Sequence, residues 1–136
     1  MSDGAGPGPR ILLVEDEPVN RALVRAMIER ANRPRLRGAE LLEAASIAEA
    51  RAALAVRPFD ILLLDVRLPD GNGFDLVAEL RAAGGLAATR VIIVSASVLA
   101  TERAVAVASG AEAFLGKPFL AAELLDLLEG QAAPGG

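Results

Sequence analysis

Three short apolar runs, and one weaker strand candidate, lead into residues that can do chemistry. Ile11–Val14 is followed by Glu15 and Asp16, Ile61–Leu64 by Asp65, Val91–Val94 by Ser95, and Ala111–Leu115 runs on to Lys117. If the runs are parallel strands, these side chains gather beyond the carboxyl edge of a sheet, where open α/β folds bind their ligands. Three carboxylates in one place repel one another unless a cation sits among them. Oxygen ligands, in a chain with neither His nor Cys, select a hard ion, and Mg²⁺ keeping several waters fits them. The ion, the Lys117 ammonium and the Ser95 hydroxyl could each satisfy one oxygen of a phosphoryl group. A carboxylate can itself accept that group. Such a transfer is mostly positioning and charge neutralisation and needs no general base. Glu15 and Asp16 form an adjacent pair, which suits metal binding directly or through water. Asp65 stands alone after the central run, which suits attack.

Each residue also has a plainer role open to it. Glu15, Asp16 and Glu17 precede a helix, where acids complement the dipole. Asp65 could be a turn acid, and Asp70-Gly71 reads as turn chemistry. Ser95 could be structural, Phe114 and Phe119 could be core, and the Arg67 side chain could be merely solvated. Lys117 is set apart by being the only lysine among 14 basic residues. A compact ammonium on a flexible stem is not replaced by a planar guanidinium at a tight phosphate site.

The elements that must position these residues follow from periodicity. The continuous apolar runs mark strands buried on both faces, with weaker candidates at Ala39–Ala44 and Ala111–Leu115. Helical spacing puts Leu23, Val24, Met27 and Ile28 on one face, then Ile47, Ala50 and Leu54, then Phe74, Val77 and Leu80. The last helix carries Leu120, Leu124, Leu127 and Leu128. Pro18 suits a first helical turn, Gly84-Gly85 ends the third helix, and Gly130 ends the last. Five β-α repeats predict an α/β fold with a five-stranded parallel sheet, doubly wound. The fourth helix, Val98–Ser109, offers only Val98, Leu99, Val105 and Val107 as bulky apolar residues, so its buried face should be thin.

Composition bounds the remaining choices. A length of 136 residues suits one domain. Residues 1–9 read as a flexible leader, 10–130 as the domain and 131–136 as a flexible tail. Absence of Cys excludes disulfides and fits a reducing cytoplasm; absence of His excludes imidazole bases and a phosphohistidine in this chain. A net charge of −4 without a basic tail argues against a nucleic-acid partner. No apolar run is long enough to span a bilayer, so no membrane partner is expected.

Taken together, the motifs resemble those of response-regulator receiver domains. Leu12-Leu13-Val14-Glu15-Asp16-Glu17-Pro18 resembles their acidic-pair motif, and Leu62 through Gly71 their phosphoacceptor segment. Val94-Ser95-Ala96 resembles their Thr/Ser-Ala step, and Phe114-Leu115-Gly116-Lys117-Pro118-Phe119 their Lys-Pro motif. The likeness covers roughly Arg10 to Glu129, and Glu15 to Arg21 especially resembles receivers attached to hybrid histidine kinases. It implies a flavodoxin-like strand order 2-1-3-4-5 and phosphorylation of Asp65 by a phosphohistidine on a sensor histidine kinase or histidine phosphotransfer protein. It implies Mg²⁺ held by Asp16, Asp65 and the Arg67 backbone carbonyl, with Glu15 acting through water. Ser95 and Lys117 would contact phosphoryl oxygens, Ser95 and Phe114 would switch together, and the peptide before Pro118 would be cis. The sequence departs from the family pattern in Glu15 for Asp, Leu68 for Met, Phe114 for Tyr and Ser95 for Thr. A Phe at the switch has no hydroxyl to hydrogen-bond.

The expected function is therefore a cytoplasmic, phosphoryl-accepting switch that is not a turnover enzyme. It would signal by protein contact through the fourth helix, fifth strand and fifth helix, as a stand-alone receiver with no output domain after Gly130. A receiver cut from a hybrid kinase is the alternative. An aspartate-nucleophile phosphatase is disfavoured because Arg67 stands where a second acid is wanted. A flavin or nucleotide module is disfavoured by acids in the first βα turn, and a degenerate scaffold by the intact acid, hydroxyl and lysine set.

Overall fold

The computed structural model describes residues 8–96 and 100–130. The expected tail, most of the leader, and Val98 and Leu99 lie outside the described residues. Gly8 and Pro9, assigned to the leader, are already tied to the domain: the Gly8 amide donates to the Gly38 carbonyl, and the Pro9 carbonyl accepts from Glu40.

The elements run β1 (Arg10–Val14), α1 (Pro18–Glu29), a 3₁₀ turn (Pro34–Leu36), β2 (Glu40–Ala44), α2 (Ile47–Val56) and β3 (Ile61–Asp65). A two-residue-per-arm hairpin follows, β4 (Arg67–Leu68) and β5 (Gly71–Asn72), then α3 (Gly73–Ala82), β6 (Arg90–Ser95), α4 (Ala100–Ala108), β7 (Ala113–Gly116) and α5 (Ala121–Leu128). The main sheet has the order β2-β1-β3-β6-β7, all parallel. Counting only its five strands, that order is 2-1-3-4-5, as the resemblance implied.

Alternation along the strands explains why the runs are apolar throughout. Leu12, Val14, Leu62, Leu64, Val91 and Ile93 face one layer with Ile47 and Ala50 of α2, Phe74 and Val77 of α3, and Ala106 of α4. Ile11, Leu13, Ile61, Leu63, Ile92 and Val94 face the other, with Val24 and Ile28 of α1 and Leu124 and Leu128 of α5. Period-two strands covered on both faces leave no room for a polar residue until the strand ends.

Several faces differ from the periodic reading. Leu23 is 52% exposed and Leu120 71% exposed, although spacing places both on apolar stripes. Leu120 precedes α5 as its N-cap residue, so helical periodicity does not apply to it. In α4, Val105 and Val107 are exposed, and among its described side chains Ala106 alone is buried. Among the described side chains of α4 the buried face is thin, and a small residue forms it.

Candidate functional site

Four strands end side by side, and the residues at or just beyond their ends carry the chemistry. Val14, Leu64, Ile93 and Phe114 form one row across β1, β3, β6 and β7, and Asp65, Val94 and Leu115 the next, with Ser95 opposite Gly116 beyond it. The residues just beyond them therefore meet at one edge. Glu15, Asp16 and Asp65 bring carboxylate oxygens within 4.8 Å of one another. Lys117 closes the group: its Nζ donates to Glu15 Oε1 at 2.7 Å and to Asp65 Oδ2 at 2.8 Å. Burial pulls the Lys117 pKa down, but hydrogen bonds and attraction from Asp65 and Glu15 outweigh it, and the net direction is upward. The ammonium is firmly charged.

Backbone groups fix the remaining oxygens. Glu15, buried to 4% exposure, accepts from the Glu17 amide on Oε2 at 3.0 Å. Asp65 Oδ1 accepts from the Arg67 amide at 3.2 Å. Ser95 is buried at the end of β6, and its carbonyl accepts from the Lys117 amide at 2.8 Å. The Lys117–Pro118 peptide is cis. Phe114 lies one strand over on β7, half-buried, with the Arg103 guanidinium of α4 over its ring at 5.2 Å. All the site residues expected from sequence thus fall at this edge or on the strand leading to it.

The donor set fits a hard divalent cation. Every available ligand is oxygen, three of them are carboxylates, and the one ammonium among them compensates only part of their charge. Beneath the acids, between α1, the strand ends and α5, lies a cavity of about 330 Å³, bordered by Glu15, Asp65 and Lys117 and walled by Leu23, Val24 and Phe119. Its walls are apolar, so charge is concentrated at the acids and the lysine.

Sequence reasoning missed how the loop after Asp65 is held. Gly73 is required by space, since a Cβ there would stand 2.4 Å from the Asp65 carbonyl oxygen. Its amide donates to the Val66 carbonyl at 2.7 Å, and Asn72 caps α3 by accepting from Phe74 at 2.7 Å. Asp70, read as turn chemistry, accepts from the Ile47 and Ala48 amides at the start of α2. Nothing in local spacing links residues 47 and 70; only the sheet topology brings them together.

Comparison with known proteins agrees with this geometry. Residues 11–129 match the family model of the response regulator receiver domain. The sensory/regulatory protein RpfC of Xanthomonas campestris is 33% identical over 121 residues, covering 88% of this chain and 16% of that protein. The two-component response regulator ORR41 of rice is 30% identical, covering 80% of this chain and 83% of its own length. Among solved structures, the receiver domain of the sensor histidine kinase PA1611 of Pseudomonas aeruginosa, which has a magnesium ion in its active-site cleft, is 31% identical. Its TM-score is 0.77, with 90% of this chain and 95% of that one covered. The chemotaxis protein CheY4 of Vibrio cholerae gives a TM-score of 0.79 at 26% identity, over 92% of this chain and 99% of that one. The chain spans 16% of RpfC and 46% of the transcriptional regulatory protein GltR of Pseudomonas aeruginosa, so it matches only part of these longer relatives. Strand-end motifs, topology and sequence likeness converge: this chain belongs to the response regulator receiver domain family of two-component signalling.

Proposed function

We propose that the chain accepts a phosphoryl group on Asp65 from a phosphohistidine donor and signals through the face formed by α4, β7 and α5. The observation that carries this reading is the Lys117 ammonium bridging Asp65 and Glu15, with Asp16 completing the acid set. An Asp65 carboxylate oxygen would attack phosphorus as the P–N bond to the donor imidazole breaks, the bonding pair staying on that nitrogen. Lys117 is already beside Asp65 Oδ2 and can pair with an oxygen of the incoming group. The Ser95 hydroxyl would take a second. Bound Mg²⁺ supplies charge neutralisation at the phosphoryl and carboxylate oxygens. Asp16 and Asp65 would hold it by their side chains, Arg67 by its backbone carbonyl and Glu15 through water.

The chain would act on itself and turn over no free phosphate ester, since Arg67 occupies the place where a second acid would be needed. Its partner would be a sensor histidine kinase or histidine phosphotransfer protein, and the setting the cytoplasm. Among the described residues no helix is long and apolar enough to cross a membrane. A second reading, a receiver carried within a hybrid histidine kinase, is supported by the 31% identity to the receiver domain of the sensor histidine kinase PA1611. The test is incubation with a histidine-phosphorylated phosphotransfer domain, with Mg²⁺ or with EDTA. Label should move to the wild-type chain only with Mg²⁺ and never to Asp65→Asn. Transfer to that variant, or equal transfer in EDTA, would contradict the proposal.

A further inference from the structure

We propose that Asp70 is a positioning residue for the metal-binding loop, holding the β4–β5 hairpin against α2 so that Arg67 and Asp65 keep the geometry an ion needs. This rests on the function proposed above and extends it to a residue outside the acid cluster.

The hairpin has two anchors. At its base, Arg67 pairs with Asn72, the Gly73 amide donates to Val66, and the Asn72 side chain caps α3. Those contacts fix where the arms begin and leave the tilt of the tip to something else. At the tip, Asp70 Oδ1 accepts from the Ile47 amide at 2.8 Å and Oδ2 from the Ala48 amide at 3.0 Å. Neither amide has a partner within its own helix, because the first N–H groups of any helix lack one. The helix's own cap, Ser46, accepts instead from the Glu49 amide. Asp70 and Ser46 thus divide the helix start between them, and of the two it is Asp70 that ties it to the hairpin.

Gly71 strengthens the contact. Its φ is +153°, and a Cβ there would lie 2.8 Å from Ile47 Cδ1, so the tip rests directly on the first residue of α2. On the far side, Arg51 of α2 and Glu79 of α3 are joined by two hydrogen bonds of 2.7 and 2.6 Å. The loop bearing Arg67 is therefore held between two helices that are themselves linked. Groups that orient metal ligands commonly change metal affinity when removed, although they touch no metal.

The test is Mg²⁺ titration by calorimetry on wild type, Asp70→Ala, Asp70→Asn and Ser46→Ala, with thermal melts of each. Asp70→Ala should weaken Mg²⁺ binding by about tenfold, the lower end of what orienting groups contribute. Asp70→Asn keeps one acceptor oxygen and should fall between. Ser46→Ala removes the ordinary cap and should lower the melting temperature while leaving Mg²⁺ affinity at the wild-type value. Equal affinity in wild type and both Asp70 variants would overturn the inference. So would a Ser46→Ala loss as large as that of Asp70→Ala, since α2 stability would then be the cause. Failure of the wild type itself to bind Mg²⁺ would overturn the site reading, a result distinct from either.

Discussion

Lys117 lies between two carboxylates, one of them almost wholly buried, and its ammonium is what lets them stay close. Replacing it by Met keeps the stem's bulk and removes the charge. In EDTA, Lys117→Met should lose about 2 kcal/mol of stability, less than the loss for a fully buried broken pair because this site opens to water. Added Mg²⁺ should return part of that loss, as any ligand of the native state does. Chemical denaturation with and without Mg²⁺ measures both effects; an unchanged midpoint in EDTA would count against the assigned role. At this scale the sequence was highly legible. Glu15, Asp16, Asp65, Ser95 and Lys117 stand out because an otherwise apolar strand stops at each, and the lone lysine adds an independent signal. Asp70 and Gly73 were not legible, because their partners are an amide 23 residues away and a neighbouring backbone carbonyl.

Among the elements, α4 and the β4–β5 hairpin bear most directly on how the site responds to a ligand. Only Ala106 is buried among the described side chains of α4, so little apolar area opposes its opening. Amides of α4 should therefore exchange with solvent faster than those of α5, whose Leu124, Leu125, Leu127 and Leu128 are all buried. Their rates should change on adding Mg²⁺ with beryllofluoride; unchanged rates would remove α4 from the signalling face. At the hairpin, the Ile47 and Ala48 amides hold the Asp70 pKa below its ordinary value. A carboxylate lowered on folding contributes stability that is complete above its unfolded pKa and is lost as pH falls through the lower folded value. In an acid titration, the Ile47 and Ala48 amide shifts should therefore move below the usual aspartate range, and that step should vanish in Asp70→Asn. A step at the usual range would show that the hairpin tip is not held by the carboxylate. Helix faces were legible in period but not in width. Leu23 fits the α1 stripe by spacing, yet it borders the cavity and is left half exposed, while Val24 and Ile28 are buried in the layer that α5 shares.

Across the whole molecule, one alternation organises both layers and the site. Strands covered on two faces must be apolar to their ends, so charge can enter only at the edges, and a parallel sheet collects its strand ends on one side. That logic made the fold class legible from three continuous apolar runs and two weaker strand candidates. Strand order came from the resemblance, because spacing alone leaves several doubly wound orders open. Core residues outside the strands and α-helices, such as Leu36, Phe59 and Leu86, carried no periodic signal; they are buried in clusters drawn from distant parts of the sequence. Ion pairs of long range also tie the segment after α1 to the end of α5, with Arg33 reaching Asp126 and Glu129 across 93 and 96 residues. The central claim is that this edge presents Asp65 as the phosphoryl acceptor. Its most direct test is intact-mass measurement after incubation with acetyl phosphate and Mg²⁺, followed by peptide mapping. The account predicts a gain of one phosphoryl group on the peptide containing Asp65, absent in Asp65→Asn. A gain in both proteins, in neither, or on a different peptide would contradict it.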